Sequence, residues 1–357
     1  MTAVSSPAAR DQRMLIRADA QPSIGAGHVM RCLALAQAWQ DAGGGVRFAM
    51  AMGIETARPL LACEGIEVEA IRADIGTAAD AGATAQMARD YAATWVVMDG
   101  YRFDEPYQRA MGGAGARTAL IDDNGECAPH QADVVVNQNI HAHPDMYRAR
   151  RSGTELLLGS RYVMLRRAFR QRRRDSQTAP AEARNLLITL GGGDLDNVTL
   201  KVLQALPEAA VLDLRAVAVV GAVNPHLDAL KATAGASPVA IELRRNEPDM
   251  PGLMCAADLA VAAAGSTVWE LLYMGVPTIS LVIADNQRGI AQRLADSGVL
   301  VSLGWHADVG HSDIALAIRR LSRSPQQRQD MAARGRDLVD GAGAARIVAA
   351  MLSRRDA

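Results

Sequence analysis

Short apolar runs alternate along the chain with longer segments in which apolar residues recur every three to four positions. The short runs have the composition of strands in a parallel sheet buried on both faces, and the longer segments, such as 29–40 and 84–93, have helical spacing. This alternation predicts an α/β protein. The predicted strands are Met14–Ile16, Val46–Met50, Val68–Ile71, Trp95–Asp99, Thr118–Ile121, Val134–Asn137, Asn185–Leu190, Arg215–Val220, Val239–Leu243, Leu259–Ala262, Thr278–Val282 and Val299–Leu303.

Two domains are expected because 357 residues exceed the usual size of one domain. Residues 165–180 change from apolar to basic and then to small and polar, as a linker does. We predict an N-terminal Rossmann-like domain over 13–165, a basic linker over 166–184, a C-terminal Rossmann-like domain over 185–340 and a helical tail over 341–357. Two such domains facing a central cleft would place ligands at the carboxyl ends of their strands.

Composition and charge exclude several classes of protein. The net charge is −1 and the pI is about 6.7, so the arginine-rich stretch 166–174 is interpreted as a solvated hinge rather than a nucleic-acid patch. The N-terminal residues lack the apolar core of a signal peptide, and no stretch reaches the ~20 apolar residues of a membrane span, which predicts a soluble, cytoplasmic protein. The cysteines lack the spacing of metal ligands, so we expect reduced, mostly buried thiols and no structural zinc at Cys32, Cys63, Cys127 and Cys255.

The turn after the first predicted strand carries the clearest candidate chemistry. Gly25 and Gly27 let the backbone turn tightly, and His28 then falls near the start of the helix predicted over 29–40. The positive end of a helix dipole disfavours an imidazolium, so we expect a neutral His28 that can act as a general base. A histidine that only caps or supports the helix is the alternative. A dinucleotide site is not predicted, because Met30 stands where its fingerprint needs glycine.

Charged residues surround this turn. Arg17 and Asp19 precede it, and Arg31 lies about one helical turn after His28. Two arginines, an aspartate and a histidine within fifteen residues exceed what a structural turn needs. We therefore group these four residues in one candidate site.

Two loops in the second half suit phosphate groups. The three glycines at 191–193 follow a predicted strand, and their N–H groups can surround phosphate oxygens, although no Lys-Ser/Thr follows as in a Walker motif. A plain turn with Asp196 as helix cap is the alternative. Gly265, Ser266 and Thr267 follow another strand and open a helix, where hydroxyls and helix-start amides suit a diphosphate.

Two further features complete this half of the site. Glu270 would accept hydrogen bonds from both hydroxyls of a ribose, but Thr267 and Glu270 also fit a capping box, and spacing does not separate the two interpretations. Asn286 and Gln287 follow the strand at 278–282 and can bind sugar hydroxyls and amides, or only form a turn. Together the three loops predict a site for a nucleoside diphosphate that carries a polar group, with His28 approaching from the other domain.

In order and spacing these motifs resemble the UDP-2,4-diacetamido-2,4,6-trideoxy-β-L-altropyranose hydrolases of pseudaminic acid biosynthesis, the PseG family. The resemblance extends from about residue 14 to about residue 303. It implies two Rossmann-like domains of glycosyltransferase-B type, as in the MurG-type glycosyltransferases. Its further landmarks are Asp99-Gly-Tyr101, Ile121-Asp-Asp123, Val136-Asn-Gln-Asn139 and Tyr162-Val-Met-Leu-Arg166.

The resemblance implies a reaction in which water attacks the anomeric carbon of a UDP-linked sugar and UDP leaves. In it His28 would deprotonate the water, and Tyr101 and Asp19 would complete the catalytic set. No metal and no other cofactor is implied; the UDP-sugar is the only partner, without nucleic acid or membrane, and we expect a monomer. The implied substrate-binding residues are Arg17, Gly25, Gly27, Arg31, Asn137, Asn139, Arg166, Gly191, Gly192, Gly265, Ser266, Thr267, Glu270, Asn286 and Gln287.

Two other functions remain open from the sequence. A glycosyltransferase of the same architecture would use an acceptor hydroxyl in place of water. A protein that only senses a nucleotide sugar would have little need of a base, and His28 with Arg17 and Asp19 argues against it. The chain departs from the family pattern at Ala168, where the family often has an acidic residue, so the substrate could differ in detail.

Overall fold

The computed structural model describes residues 9–20, 27–172 and 179–354. The chain divides into two compact units. The first unit contains the chain up to Arg167 together with the chain from Gly341 onward, and the second contains Ala168–Asp340. The segment after Gly341 therefore belongs to the first unit, whereas the sequence analysis treated it as a separate tail.

The first unit is built on a sheet of seven parallel strands. Its strand order is β3-β2-β1-β4-β5-β6-β7, so the direction of winding reverses between β1 and β4. The central strands are buried on both faces, as their continuous apolar sequences predict. The strands are β1 (Arg13–Ala18), β2 (Gly45–Met50), β3 (Glu67–Ala70), β4 (Trp95–Asp99), β5 (Arg117–Ile121), β6 (Val134–Asn137) and β7 (Glu155–Leu158).

Helices connect these strands and cover the sheet. They are α1 (Gly27–Asp41), α2 (Ile54–Cys63), α3 (Ala78–Asp90) and α4 (Glu105–Gly112). The helix α5 (Arg167–Gln171) follows at the boundary between the units. The first unit has one apolar core on each side of the sheet, and α1 lies in the core that contains Trp39 and Trp95.

The second unit contains a parallel sheet of six strands in the order β10-β9-β8-β11-β12-β13, with its reversal between β8 and β11. Its strands are β8 (Asn185–Thr189), β9 (Arg215–Val220), β10 (Ala240–Arg245), β11 (Leu259–Ala263), β12 (Thr278–Val282) and β13 (Val301–Trp305). Its helices are α6 (Val198–Ala205), α7 (Leu227–Ala236), α8 (Met250–Ala256), α9 (Ser266–Met274), α10 (Arg288–Asp296), α11 (His311–Ser322) and α12 (Pro325–Leu338). Each unit is thus Rossmann-like.

The last helix, α13 (Gly343–Ser353), packs against α1 in the first unit. A Cβ at Gly343 would lie 2.2 Å from the carbonyl oxygen of Val163, so only glycine fits where this helix begins. Buried apolar residues of α13, including Ile347 and Met351, join the same core as α1.

All twelve strands predicted from the sequence are present, with ends that differ by no more than two residues. The prediction missed β7, a short edge strand in which only Leu157 is fully buried, because such a strand has little apolar pattern. The expected thiols are free, but only Cys32 and Cys127 are buried, while Cys63 is exposed.

A buried ion-pair network holds the end of β1. Arg17 is fully buried, and all three nitrogens of its guanidinium donate to carboxylates: Nε and Nη2 to Asp80 at 3.0 and 2.9 Å, and Nη1 to Asp19 at 2.5 Å. The other oxygen of Asp19 accepts the backbone N–H groups of Ala51 and Met52. Burial by itself would raise the pKa of Asp80, but its hydrogen bonds and ion pair with Arg17 outweigh burial and lower that pKa.

Removing one partner of this network should be costly. Asp80→Asn leaves the buried Arg17 charge without its bidentate partner, so we expect a loss of about 3–5 kcal/mol in the free energy of unfolding. The matched control is Glu67→Gln, which removes an ion pair with Arg47. The Glu67 side chain is 74% exposed, so this change should lower the free energy of unfolding by less than about 1 kcal/mol. Urea denaturation of both variants measures the difference, and equal losses would contradict the assignment.

Candidate functional site

The candidate catalytic residues lie where the winding of the first sheet reverses. In doubly wound sheets this point opens a crevice at the carboxyl ends of the strands. His28 is the second residue of α1, which follows β1, and Asp99 is the last residue of β4, the strand beside β1. The Nδ1 atom of His28 lies 2.5 Å from Oδ1 of Asp99, and both side chains are buried. A histidine–carboxylate pair therefore stands at the crevice.

This contact determines which nitrogen of His28 carries a proton. An ionised carboxylate only accepts hydrogen bonds, so the Nδ1–H group donates to Asp99 and Nε2 carries the lone pair. No residue within the described ranges hydrogen-bonds Nε2. The pair therefore presents a nitrogen that can accept a proton.

Arg31, one turn after His28, bridges two carboxylates. Its Nε and Nη2 atoms donate to Asp99 at 2.7 and 2.6 Å, and its Nη1 atom donates to Asp123 at 2.7 Å. Asp123 follows β5, so three separate segments meet at this guanidinium. The sequence analysis predicted that Arg31 binds substrate, but the structure commits its nitrogens to the interior of the site.

The bridge keeps both carboxylates ionised. Burial by itself would raise the pKa of Asp99, but the charge of Arg31 and the hydrogen bonds from Arg31 and His28 outweigh burial and hold the pKa far below its usual range. The pKa of Asp123 is lowered by Arg31 in the same way. Cys32 donates its thiol to Asp99, and burial raises the pKa of that thiol well above its usual value, so the sulfur stays protonated.

Polar side chains from the loop after β4 and from the end of β6 lie around His28 and form the rim of the crevice. The ring of Tyr101 meets the edge of the His28 ring at a centroid distance of 5.0 Å, and its hydroxyl donates to Asp123 at 3.3 Å. Asn139 donates its Nδ2 to Asp123 at 2.8 Å. Asn137 is fully buried, and its amide is engaged with the Asp123 backbone and with Tyr147. Tyr101 and Asn139 thus lie beside His28, while Asn137 supports them from beneath.

Other predicted residues of the first unit are placed differently. Arg17 and Asp19 belong to the buried network at the end of β1, with their polar atoms directed to Asp80 and to backbone N–H groups. Gly27 begins α1, and Arg166 lies half-buried just before the boundary between the units. Gly25 lies outside the described residues.

Sequence reasoning gave no chemical role to Asp99 or Asp123, the two carboxylates that organise the site. Both were quoted only as landmarks of the resemblance. The signal that would have found them is an aspartate at or just after the end of an apolar strand, namely Asp99 in β4 and Asp123 after β5. In parallel sheets such positions share one edge, which is where ligands bind.

The predicted phosphate loops of the second unit meet at its own reversal point. Gly191 has φ +87°, a conformation that favours glycine, and the glycine loop runs so close to Gly221 that a Cβ there would lie 1.9 Å from the carbonyl oxygen of Gly192. Asp194 accepts the N–H groups at the start of α6. Asn197 holds the N-cap position, and the side chain that accepts the first N–H groups of the helix is Asp194, not Asp196, the residue named in the alternative interpretation.

The loop after β11 leads directly into α9. Ser266 is its first residue and Gly265 its N-cap, without a side-chain cap. The capping box considered for Thr267 and Glu270 is therefore not formed, because Thr267 already lies inside the helix. Glu270 lies about one turn further along the same helix.

The third predicted loop contacts the other two. Oε1 of Gln287 accepts the N–H of Ile283 at 3.1 Å, and Nε2 of Gln287 lies 3.6 Å from the position that a Cβ on Gly265 would take. The side chain of Ile283 lies 3.8 Å from the corresponding position at Gly191. Asn286 precedes Gln287 in the same short 3-10 helix. Three loops thus surround one helix start, which suits an anionic group.

Among the described residues, no group of three or more His, Cys, Asp or Glu side chains is arranged to hold a metal ion. In the same ranges of the chain, no helix has both the length and the apolar character needed to cross a membrane.

The pKa shift of Asp99 makes a prediction for stability. The folded-state pKa lies below that of the unfolded chain, so the unfolded chain binds more protons in that interval and stability falls as the pH drops through it. We expect the free energy of unfolding to decrease below about pH 4. Asp99→Asn should be less stable at neutral pH and should depend less steeply on pH, because this titrating group is absent.

Urea denaturation between about pH 3 and pH 7 measures both effects. The control is Asp74→Asn, which alters an exposed carboxyl of the same unit. In this variant the free energy of unfolding should change with pH as steeply as in the wild type. A wild-type slope in Asp99→Asn would contradict the role given to Asp99.

No family model matches the chain, but three curated relatives and many solved structures do. The chain is 29% identical over 235 residues to the spore coat polysaccharide biosynthesis protein SpsG of Bacillus subtilis (strain 168). This alignment covers 66% of this chain and 68% of SpsG. It is 23% identical over 290 residues to the UDP-2,4-diacetamido-2,4,6-trideoxy-β-L-altropyranose hydrolase of Campylobacter jejuni, which covers 80% of this chain and 97% of that protein.

The fold is shared with structures of lower identity. Acinetobacter baumannii MurG superposes with a TM-score of 0.64 at 18% identity, over 96% of this chain and 100% of MurG. Anabaena HepE, solved in complex with UDP, superposes with a TM-score of 0.63 at 15% identity, over 96% of this chain and 100% of HepE. These similarities confirm the resemblance to the PseG family and establish two Rossmann-like domains of the glycosyltransferase-B type.

Proposed function

We propose that the chain is an enzyme that acts on UDP-sugars. More specifically, it hydrolyses a UDP-linked 2,4-diacetamido-2,4,6-trideoxyhexose, in the L-altrose form, to UDP and the free sugar for nonulosonic (pseudaminic) acid biosynthesis. The observation that carries this proposal is the pair of His28 and Asp99, which presents Nε2 as a proton acceptor at the reversal point of the sheet. The similarity to the C. jejuni hydrolase over 80% of the chain supports the choice of substrate.

The proposed chemistry is a single displacement by water. Nε2 of His28 takes a proton from the water as the water oxygen bonds to the anomeric carbon. The bond between that carbon and the phosphate oxygen breaks, and its electron pair leaves with UDP. Asp99 stabilises the imidazolium that forms, and Arg31 keeps Asp99 ionised, so the proton remains on the histidine.

The second unit supplies the proposed site for UDP. Its loops offer backbone N–H groups at the glycines 191–193 and at the start of α9, where the helix dipole favours negative charge. The charge that builds on UDP as it leaves is stabilised by the same groups. Glu270 accepts hydrogen bonds from the ribose hydroxyls. Gln287, which lies beside Gly265, contacts the substrate together with Asn286.

A glycosyltransferase is the second candidate, because MurG shares the fold over nearly the whole chain. In that reaction His28 would take the proton of an acceptor hydroxyl rather than of water. The two functions are separated by the need for an acceptor.

The proposal predicts the consequences of His28→Ala. Incubation with the UDP-diacetamido sugar in H₂¹⁸O, without acceptor or added metal, should release UDP and place ¹⁸O on the free sugar. His28→Ala should lower kcat by about 10²–10⁴-fold, since it removes the base, and should leave the affinity for UDP unchanged. Mass spectrometry follows the label, and calorimetry follows UDP binding.

The matched control is His143→Ala, because His143 is an exposed histidine of the same unit whose side chain is 67% accessible. It should retain wild-type turnover. UDP release only in the presence of an acceptor would replace hydrolysis by glycosyl transfer. Wild-type turnover in His28→Ala would remove His28 from the mechanism.

The role of Glu270 is tested by comparing the binding of UDP with that of an analogue that lacks one ribose hydroxyl. If its carboxylate accepts both hydroxyls, wild-type protein should bind 2′-deoxy-UDP about tenfold more weakly than UDP, the effect of one hydrogen bond to a charged group. In Glu270→Gln the preference for UDP should largely disappear. Glu242→Gln, on an exposed strand of the same unit, should keep it. Calorimetric titration measures the ratio, and an unchanged ratio in Glu270→Gln would show that Glu270 does not contact the ribose.

A further inference from the structure

The carboxylate of Asp123 determines the direction of the hydrogen bonds around it. It is an acceptor only, and it receives hydrogen bonds from Arg31, Tyr101 and Asn139. Its low pKa keeps it ionised, so each partner must present a donor to it. The donors that these side chains direct at Asp123 are therefore not available to a ligand.

The amide of Asn139 is oriented by this rule. Its Nδ2 atom lies 2.8 Å from Asp123, because the opposite orientation would bring two oxygens together. Its carbonyl oxygen then points the other way. Within the described ranges no residue donates a hydrogen bond to that oxygen. The oxygen also does not belong to the fully buried polar atoms that lack a partner. Asn139 therefore presents a hydrogen-bond acceptor at the rim.

His28 presents an acceptor beside it for the same reason. Its Nδ1–H is committed to Asp99, which leaves Nε2 as an acceptor. The hydroxyl hydrogen of Tyr101 is committed to Asp123. Asp99 and Asp123 thus accept the hydrogens of His28, Tyr101 and Asn139, and the acceptors that remain favour a ligand that brings hydrogen-bond donors.

Asn137 differs from Asn139 although the two lie two residues apart. Its Nδ2 atom donates to the Asp123 backbone and to Tyr147, its Oδ1 atom accepts the N–H of Asn139, and the residue is fully buried. It holds the loop in place and offers nothing to a ligand. The sequence analysis had given both asparagines the same role.

We propose that Asn139 selects an amide N–H of the substrate, and that Asp123 is the positioning residue that fixes the orientation of Asn139. This rests on the proposed function, in which the ligand is a UDP-linked amino sugar. An acetamido group carries an N–H that Asn139 can accept, whereas an acetoxy group of nearly the same shape brings only oxygens. A site built to bind an N–H discriminates against an analogue without it, because its acceptor would remain unpaired.

The test compares the diacetamido substrate with two analogues, each carrying one acetoxy group in place of one acetamido group. For wild-type protein we expect kcat/KM to fall about 10²-fold for one of the two analogues. In Asn139→Ala the acceptor is absent, so the ratio of kcat/KM for the substrate to kcat/KM for that analogue should shrink. It should lie within about threefold of the ratio set by the intrinsic reactivity of the two sugars.

Asp123→Asn tests the positioning role. An amide at position 123 can donate to Asn139, which can then turn its own N–H toward the ligand. The preference for the acetamido substrate should collapse as it does in Asn139→Ala. A residue with a merely structural role would lower both rates and leave their ratio unchanged, so the ratio separates the two roles.

The matched control is Asn124→Ala, since Asn124 lies in the same loop as Asp123 but its side chain donates to Glu126. It should keep the wild-type ratio, and all variants should keep the wild-type affinity for UDP. Equal kcat/KM for all three sugars, or an unchanged ratio in both Asn139→Ala and Asp123→Asn, would overturn the proposal.

The outcome is distinguishable from failure of the proposed function. If no sugar is hydrolysed, the function fails, and the same ratios are then taken from dissociation constants measured by calorimetry. A preference for the acetamido sugar that depends on Asn139 and Asp123 would support the inference in either assay. Hydrolysis without that preference would leave the function in place and exclude the inference.

Discussion

One guanidinium holds the candidate site together. Arg31 bridges Asp99 and Asp123, which lie 68 and 92 residues away in the sequence. Asp99 is buried and Asp123 is half-buried, and the charge of Arg31 lowers the pKa of both carboxylates. As ionised acceptors, they determine which hydrogens of the neighbouring side chains face them. The tautomer of His28 and the orientation of Asn139 both follow from that arrangement.

The two units use the same architecture for different chemistry. Both are parallel sheets whose winding reverses between two central strands, and both place their polar loops at that reversal. In the first unit the loops carry charged side chains around a histidine. In the second they carry glycines and a helix start, which offer backbone N–H groups. Acid–base work needs side chains with defined protonation, whereas a diphosphate needs close approach to the backbone.

The sequence predicted the strands with little error, because local periodicity determines strands and helices. It predicted substrate binding for Arg17 and a catalytic role for Asp19, since their charges next to His28 are visible in the sequence, whereas the pairing of Arg17 with Asp80 is not. It missed β7, whose short edge sequence has little pattern. It also left the capping role of Glu270 open, which the observed start of α9 at Ser266 decides.

The sequence by itself determined the alternation of strands and helices and the glycine turns, because these depend on residues close together in the chain. Only the tertiary structure decided which charges neutralise one another. Arg17 and Arg31 look alike in the sequence, yet one is enclosed by Asp80 and Asp19 and the other bridges the carboxylates beside His28. Such pairings join strand residues to residues of helices and loops that are distant in the chain, and they form only when the sheet brings the carboxyl ends of its strands to one edge.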